Sequence, residues 1–175
     1  MPYMRVWRWK LASASLQQVE PNLVITILIL GKIDQDLYVS DQRHRELGKN
    51  PQAGKLDELA EVGGSIGLSH LWILGAYEAI RTIDQRFREF GAAAENRKKA
   101  SVDLKHSYER LRIPLAKLEP SSRHKATDYA FAHPGIDDER GIAWEVAKGV
   151  VISRSQLSDE FLEFLERLHN GTITN

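Results

Sequence analysis

Hydrophobic positions between Ile66 and Phe90 recur every three or four residues, through Trp72, Ala76, Ile80, Ile83, Phe87 and Phe90. His70, Tyr77, Glu78, Arg81 and Asp84 fall elsewhere around the same turns. That is the period of an amphipathic α-helix. A second stretch, Arg97 to Glu119, answers it with Leu104, Tyr108, Leu111, Leu115 and Leu118, across a turn at Gly91–Ala94. Together they predict an antiparallel helix pair. Pro114 cannot donate to the carbonyl of Arg110, and its ring crowds that turn, so a kink is expected there.

Upstream, Pro21 and Asn22 offer a helix start before Leu23, Ile27, Leu30 and Leu37, and the helix is expected to run to about Leu47. Val24, Ile25, Leu28 and Ile29 make its first half apolar on every side, which predicts a central place in the core. Met4 to Leu11 alternates, with Arg5, Trp7 and Trp9 on one parity, so residues 1–20 are read as a short strand or an ordered arm. Gly48 to Lys55 has loop composition. The helix that begins near Leu56 holds Gly63, Gly64 and Gly67, each costing roughly 1 kcal/mol relative to alanine, which predicts a break, a kink or the close approach of another helix.

Ala126 to Arg140 lacks a sustained period and reads as loop. Beyond it Ile142, Trp144 and Val146 alternate with Ala143 and Glu145, and Val150 and Ile152 resume after Lys148 and Gly149, which predicts a β-hairpin. A last helix follows, with Ser158 as its cap, Leu157 stapled onto Leu162, and a stop at Asn170 and Gly171. The predicted class is mainly α: an antiparallel helical bundle of about four helices, with a C-terminal β-hairpin before the last helix. One domain is expected over residues 1–175.

Composition changes this picture little. The 175 residues are 42% hydrophobic, enough for a real core, and 24 basic residues balance 24 acidic ones. Net charge therefore selects no class of partner. Cysteine is absent, which removes disulfides, thiolate metal sites and cysteine nucleophiles. The start, MPYMRVWRWK, is not patterned as a secretory signal. The apolar run Leu23–Leu30 is far shorter than the roughly 20 residues of a membrane span. A cytoplasmic protein with no membrane partner is expected.

Candidate chemistry is sparse. Gly48 to Lys55 resembles a phosphate-binding loop only in part: the glycines are too widely spaced, Leu56 stands where a hydroxyl belongs, and the preceding RHRELG is no buried strand, so an interhelical loop is expected. Tyr77, Glu78, Arg81 and Asp84 form a polar ladder on the second long helix. It reads first as a salt-bridge face, and alternatively as a binding or acid–base site facing the next helix, with Glu78, Arg81 and His106 as catalytic candidates. His133 with Asp137, Asp138 and Glu139 lacks metal-site spacing and reads as an acidic turn; neither a metal nor a cofactor is predicted.

Charge is uneven along the chain. Arg97 to Lys125 carries nine basic against three acidic residues, a net of +6, and Ala126 to Asn175 carries four against nine, a net of −5. Pairing of the two blocks is the first reading. The alternative is a basic stripe for RNA, with Arg97, Lys98, Lys99, Arg110, Arg112, Arg123 and Lys125 as binding candidates beside Tyr77 and with Trp7, Arg8 and Trp9 adding stacking surface.

The outline of a long helix pair followed by a further helix resembles the HEPN domains of bacterial toxin and defence systems. Ribonucleases of that family carry an arginine with a histidine a few positions later. Here Arg43–His44 and Arg123–His124 are adjacent and Arg97–His106 is too wide, so the resemblance implies an outline and no activity. The favoured function is a non-enzymatic bundle acting through protein association, as a homodimer, because the helical surface exceeds what one short terminal helix can cover. RNA binding or processing through 97–125 is the alternative. A third is a small-ligand pocket lined by Trp72, Trp144 and Tyr108.

Overall fold

A computed structural model describes residues 3–48 and 56–173. The expected loop at Gly48–Lys55, apart from Gly48 itself, lies outside the described residues. Five helices and a small sheet follow one another: α1 (Tyr3–Ser13), α2 (Leu23–Gly48), α3 (Leu56–Glu89), α4 (Glu95–Lys117), then β1 (His133–Asp137), β2 (Gly141–Ala147), β3 (Val150–Ser153) and α5 (Arg154–His169). The mainly helical class agrees with the pattern. The count does not, since a fifth helix stands at the start and a third strand precedes the hairpin.

The N-terminal segment is helix rather than strand or arm, because Trp9, Ala12 and Leu16 bury a stripe of helical spacing. Only Trp9 of the alternating set is buried; Trp7 stays half exposed under the Lys10 ammonium. β1 was expected to be loop. It escapes an alternation test because four of its five residues are exposed, and its ladder to β2, His133↔Glu145 through Asp137↔Gly141, is what makes it a strand. The sheet is antiparallel in the order β1–β2–β3, with β2 buried nearly throughout against the helices.

α2 begins at Leu23 as the sequence predicts, but its first half is not central. Ile25 and Ile29 are exposed at 62% and 54% while Ile27 and Leu30 are buried, so one side of the helix is left uncovered. α3 runs unbroken through Gly63, Gly64 and Gly67, and a Cβ added at any of them would meet nothing within 4 Å. The close approach expected there occurs instead at Gly31, where a Cβ would fall 2.5 Å from that of Trp9. α4 is continuous through Pro114 to Lys117.

α5 starts one turn earlier than expected. Ser153, not Ser158, is its cap, accepting from the Gln156 amide at 3.0 Å. Ser158 is inside the helix and buried, with its hydroxyl turned toward α2. The core gathers at Trp9, which meets Trp72 and Phe161 edge-on at 6.4 and 5.5 Å. Tyr108 closes that cluster against Phe161 and donates its hydroxyl proton to the Leu157 carbonyl at 2.7 Å.

Candidate functional site

The densest concentration of charge lies inside the fold. Asp34 and Asp41 share the inward stripe of α2 with Ile27, Leu30 and Leu37, two turns apart, so both carboxylates point where the apolar residues point. Arg154, the first residue of α5, meets both: Nη1 donates to Asp34 at 2.5 Å and Nη2 to Asp41, with the arginine fully buried. Asp34 also accepts from Arg5 Nε at 2.5 Å, Ser158 Oγ at 2.5 Å and Trp9 Nε1 at 2.8 Å. Asp41 accepts from the Ile142 amide at 2.9 Å, which ties α2 to β2. A Cβ at Gly141 would collide with Asp41, and its φ of +81° suits glycine, so this contact needs residue 141 as it is.

Burial disfavours ionised Asp34, but the Arg154 and Arg5 guanidiniums and their hydrogen bonds outweigh it and hold the carboxyl below its ordinary range. Arg5 is likewise opposed by burial and pushed up by Asp34 and Asp159. Tyr108 nearby is raised well above its usual value, first by burial and then by Asp34. Every oxygen of the two aspartates is engaged, and Asp34 and Arg154 are wholly inaccessible, so the contacts act as cohesion: they join α1, α2, β2 and α5 at one point. Outside it runs a groove of about 310 Å³ lined by Tyr38, Asp41, Arg45, Arg140 and Asp159 among others.

The residues marked by the sequence are placed apart. Arg81 donates to Glu78 at 2.9 Å with both side chains largely exposed, and Arg112 reaches the same Glu78 at 3.5 Å. Tyr77 donates to Glu109 at 3.2 Å beneath the Arg112 guanidinium, and its hydroxyl is raised by partial burial and by Glu109. Asp84 leaves the ladder and turns inward, taking Lys105 at 2.6 Å, Arg88 at 3.0 Å and Ser101 at 3.3 Å. Burial opposes its charge, yet the Lys105 and Arg88 bonds keep its pKa low. His106 joins none of these groups; it lines a groove toward β3 and α5.

The basic block is distributed rather than gathered. Arg110 grips Asp128 through Nε and Nη2 at 2.8 and 3.0 Å, one bond between the +6 and −5 segments. Lys98 pairs with Glu95, Lys105 with Asp84 and Arg112 with Glu78, and Arg97 donates to the Ile173 carbonyl at 3.4 Å. Lys99, Arg123 and Lys125 have no ion pair among the described residues. The acidic side of α5 is met instead by α1, through Arg5–Asp159 and Arg8–Glu166, each at 2.7 Å. Trp72, Trp144 and Tyr108 are core residues, each no more than 2% exposed.

Sequence reasoning missed the Arg154 centre. Its signal was present: two aspartates two turns apart inside an apolar stripe demand a buried cation. The same holds for His44, fully buried with Nε2 2.9 Å from the hydroxyls of both Ser40 and Ser65 at the α2–α3 contact.

Among the described residues no helix is long and apolar enough to cross a membrane, and no group of three or more His, Cys, Asp or Glu side chains could hold a metal ion. No protein-family model, curated protein or solved structure matches the chain.

Proposed function

We propose that this chain is an association module that pairs with a second copy of itself through the outer face of α2 and α3. The carrying observation is uncovered apolar surface on two adjacent helices: Leu68 and Leu71 of α3 are exposed at 41% and 66%, and Ile25 and Ile29 nearer the start of α2 at 62% and 54%. The helices run antiparallel, with Trp72 donating to the Leu30 carbonyl and Ser65 meeting Ser40. Leu68 and Leu71 therefore fall in the span of α3 that borders the middle of α2.

Gly64 and Gly67 share that outer surface and have open space above them. Glycine inside a helix costs roughly 1 kcal/mol, and no packing among the described residues explains the cost. A second helix laid across the face would use it, because backbones approach most closely where no Cβ intervenes. Mutual burial of the leucines would supply the driving force at roughly 25 cal/mol per Å². A two-fold arrangement uses the same patch on both copies and closes without leaving a further patch exposed.

Sedimentation equilibrium at micromolar concentration tests the reading. A dimer is expected, with Leu71→Glu giving a monomer of unchanged helical content. A monomeric parent chain overturns the proposal, as does a Leu71→Glu variant that remains dimeric.

A further inference from the structure

We propose that the outer edge of β3 is a docking groove for an extended segment of another protein, which adds to the sheet as a fourth strand. β3 ends the order β1–β2–β3, so one of its edges is unpaired among the described residues. A groove of about 490 Å³ runs there, lined by Val150, Val151 and Ile152 together with Asp103, His106 and Ser107 of α4, Arg123 and His124 of the turn after α4, and Glu160 of α5. Three consecutive strand residues alternate between the faces of a sheet. A cleft that touches all three follows the strand's edge rather than one of its faces.

The two edges of the sheet differ in chemistry. β1 carries Pro134 and ends on Asp137, devices that discourage further pairing. β3 reads Val-Val-Ile-Ser, with neither proline nor charge, and Val151 is 49% exposed. An edge free of proline and charge at the floor of a groove is a place for main-chain hydrogen bonds to a short incoming strand.

The charges on the walls define the occupant. Arg123 has no partner among the described residues, and toward the other end Asp103 and His106, one turn apart on α4, have none either, with Glu160 bound only to Gln156. A segment with a carboxylate at the Arg123 end and a cationic side chain at the Asp103–Glu160 end would satisfy both. A second copy of this chain fits poorly, because its own β3 lies between the same walls. The cleft also continues past Asp103, Ser107 and Glu160 into a further 560 Å³ between α4 and α5, with length for a chain running on. This inference is independent of the α2–α3 face.

The test is selection of displayed random peptides of about ten residues on the full chain, followed by synthesis of those enriched. Bound peptides should carry alternating β-branched residues with opposite charges toward their two ends. N-methylation at every second residue should abolish binding while methylation at the intervening ones does not, the signature of a strand bonded on one edge. Arg123→Glu should weaken binding about tenfold, Lys148→Glu should not, and Leu71→Glu should leave it unchanged. Amide resonances of Val150–Ile152 should shift on titration. The proposal is overturned if nothing is enriched over a blank surface, if all methylated positions are equally tolerated, or if Arg123→Glu has no effect. It is equally overturned if Val151→Lys breaks a dimer, which would make a second copy the occupant, or if an oligouridine, not a peptide, binds in an Arg123-dependent way.

Discussion

Arg154 donates from Nη1 to Asp34 at 2.5 Å with both side chains wholly inaccessible, 120 residues apart in the chain. The start of α5 is thereby fixed to the middle of α2, and a second bond from the same guanidinium fixes it to Asp41 two turns further on. Removing the cation leaves two carboxylates buried without their main partner. Arg154→Met should destabilise the fold by about 3–5 kcal/mol, read from urea unfolding. Arg154→Lys should recover little of that loss, because one ammonium cannot present the two-pronged geometry that spans both aspartates. A loss below about 1 kcal/mol for Arg154→Met would mean the centre contributes no more than a surface pair.

Two glycines in adjacent helices should respond in opposite directions. Gly31 lies under the Trp9 side chain, and a Cβ there would sit 2.5 and 2.6 Å from Trp9 Cβ and Cγ. Gly31→Ala should therefore cost about 1–3 kcal/mol through forced repacking and should alter tryptophan emission. Gly63, inside α3 with nothing near its missing Cβ, should gain up to about 1 kcal/mol as alanine. Thermal unfolding of both variants checks the contrast.

How far the pattern of residues reaches is clear from these positions. α3 and α4 were legible because each carries a long apolar stripe of one period, and Leu104, Tyr108 and Leu111 are buried as that stripe requires. α1 was misread because Arg5, Trp7 and Trp9 satisfy a two-residue alternation over a few positions, while the deciding residues, Ala12 and Leu16, lie beyond that window. β1 had no apolar pattern to read; only its partner makes it a strand. Among sites, Glu78 and Arg81 attract notice for their spacing yet stand in solvent. Asp34, Asp41 and Arg154 meet only through tertiary structure, and local spacing cannot join residues from opposite ends of a chain.

Acid should unfold the protein through its carboxylates. Asp34, Asp84, Asp128 and Glu166 all have folded-state pKa values below their ordinary ones: Asp34 and Asp84 because their cationic partners outweigh burial, Asp128 through its bond to Arg110, and Glu166 through its bond to Arg8. The unfolded chain then binds more protons than the folded one as pH drops through the ordinary carboxylate range, near 4. The stabilisation is complete above that range and is lost progressively as pH falls through the folded-state values. Urea midpoints between neutral pH and about pH 3 should show that decline. Asp34→Asn should lower stability at neutral pH and reduce the acid slope; an unchanged slope would remove Asp34 from this account.

Neighbouring acidic residues on α3 should differ in energetic weight despite their similar appearance in sequence. Glu78 meets Arg81 and Arg112 at an exposed surface, where solvent screens the attraction and the flexible side chains must be ordered to make it. Asp84, 3% exposed, instead holds Lys105 from α4 and receives the Ser101 hydroxyl, so its loss strands a largely buried ammonium between two helices. Arg81→Ala should thus change stability by less than about 1 kcal/mol. Asp84→Ala should cost about 1.5–3 kcal/mol. The double variant Asp84→Ala with Lys105→Met should be less unstable than the sum of its parts, since removing both charges relieves the one left unpaired. Additive losses in that cycle would show that Asp84 and Lys105 act independently, and the joint between α3 and α4 would then rest on the apolar stripe alone.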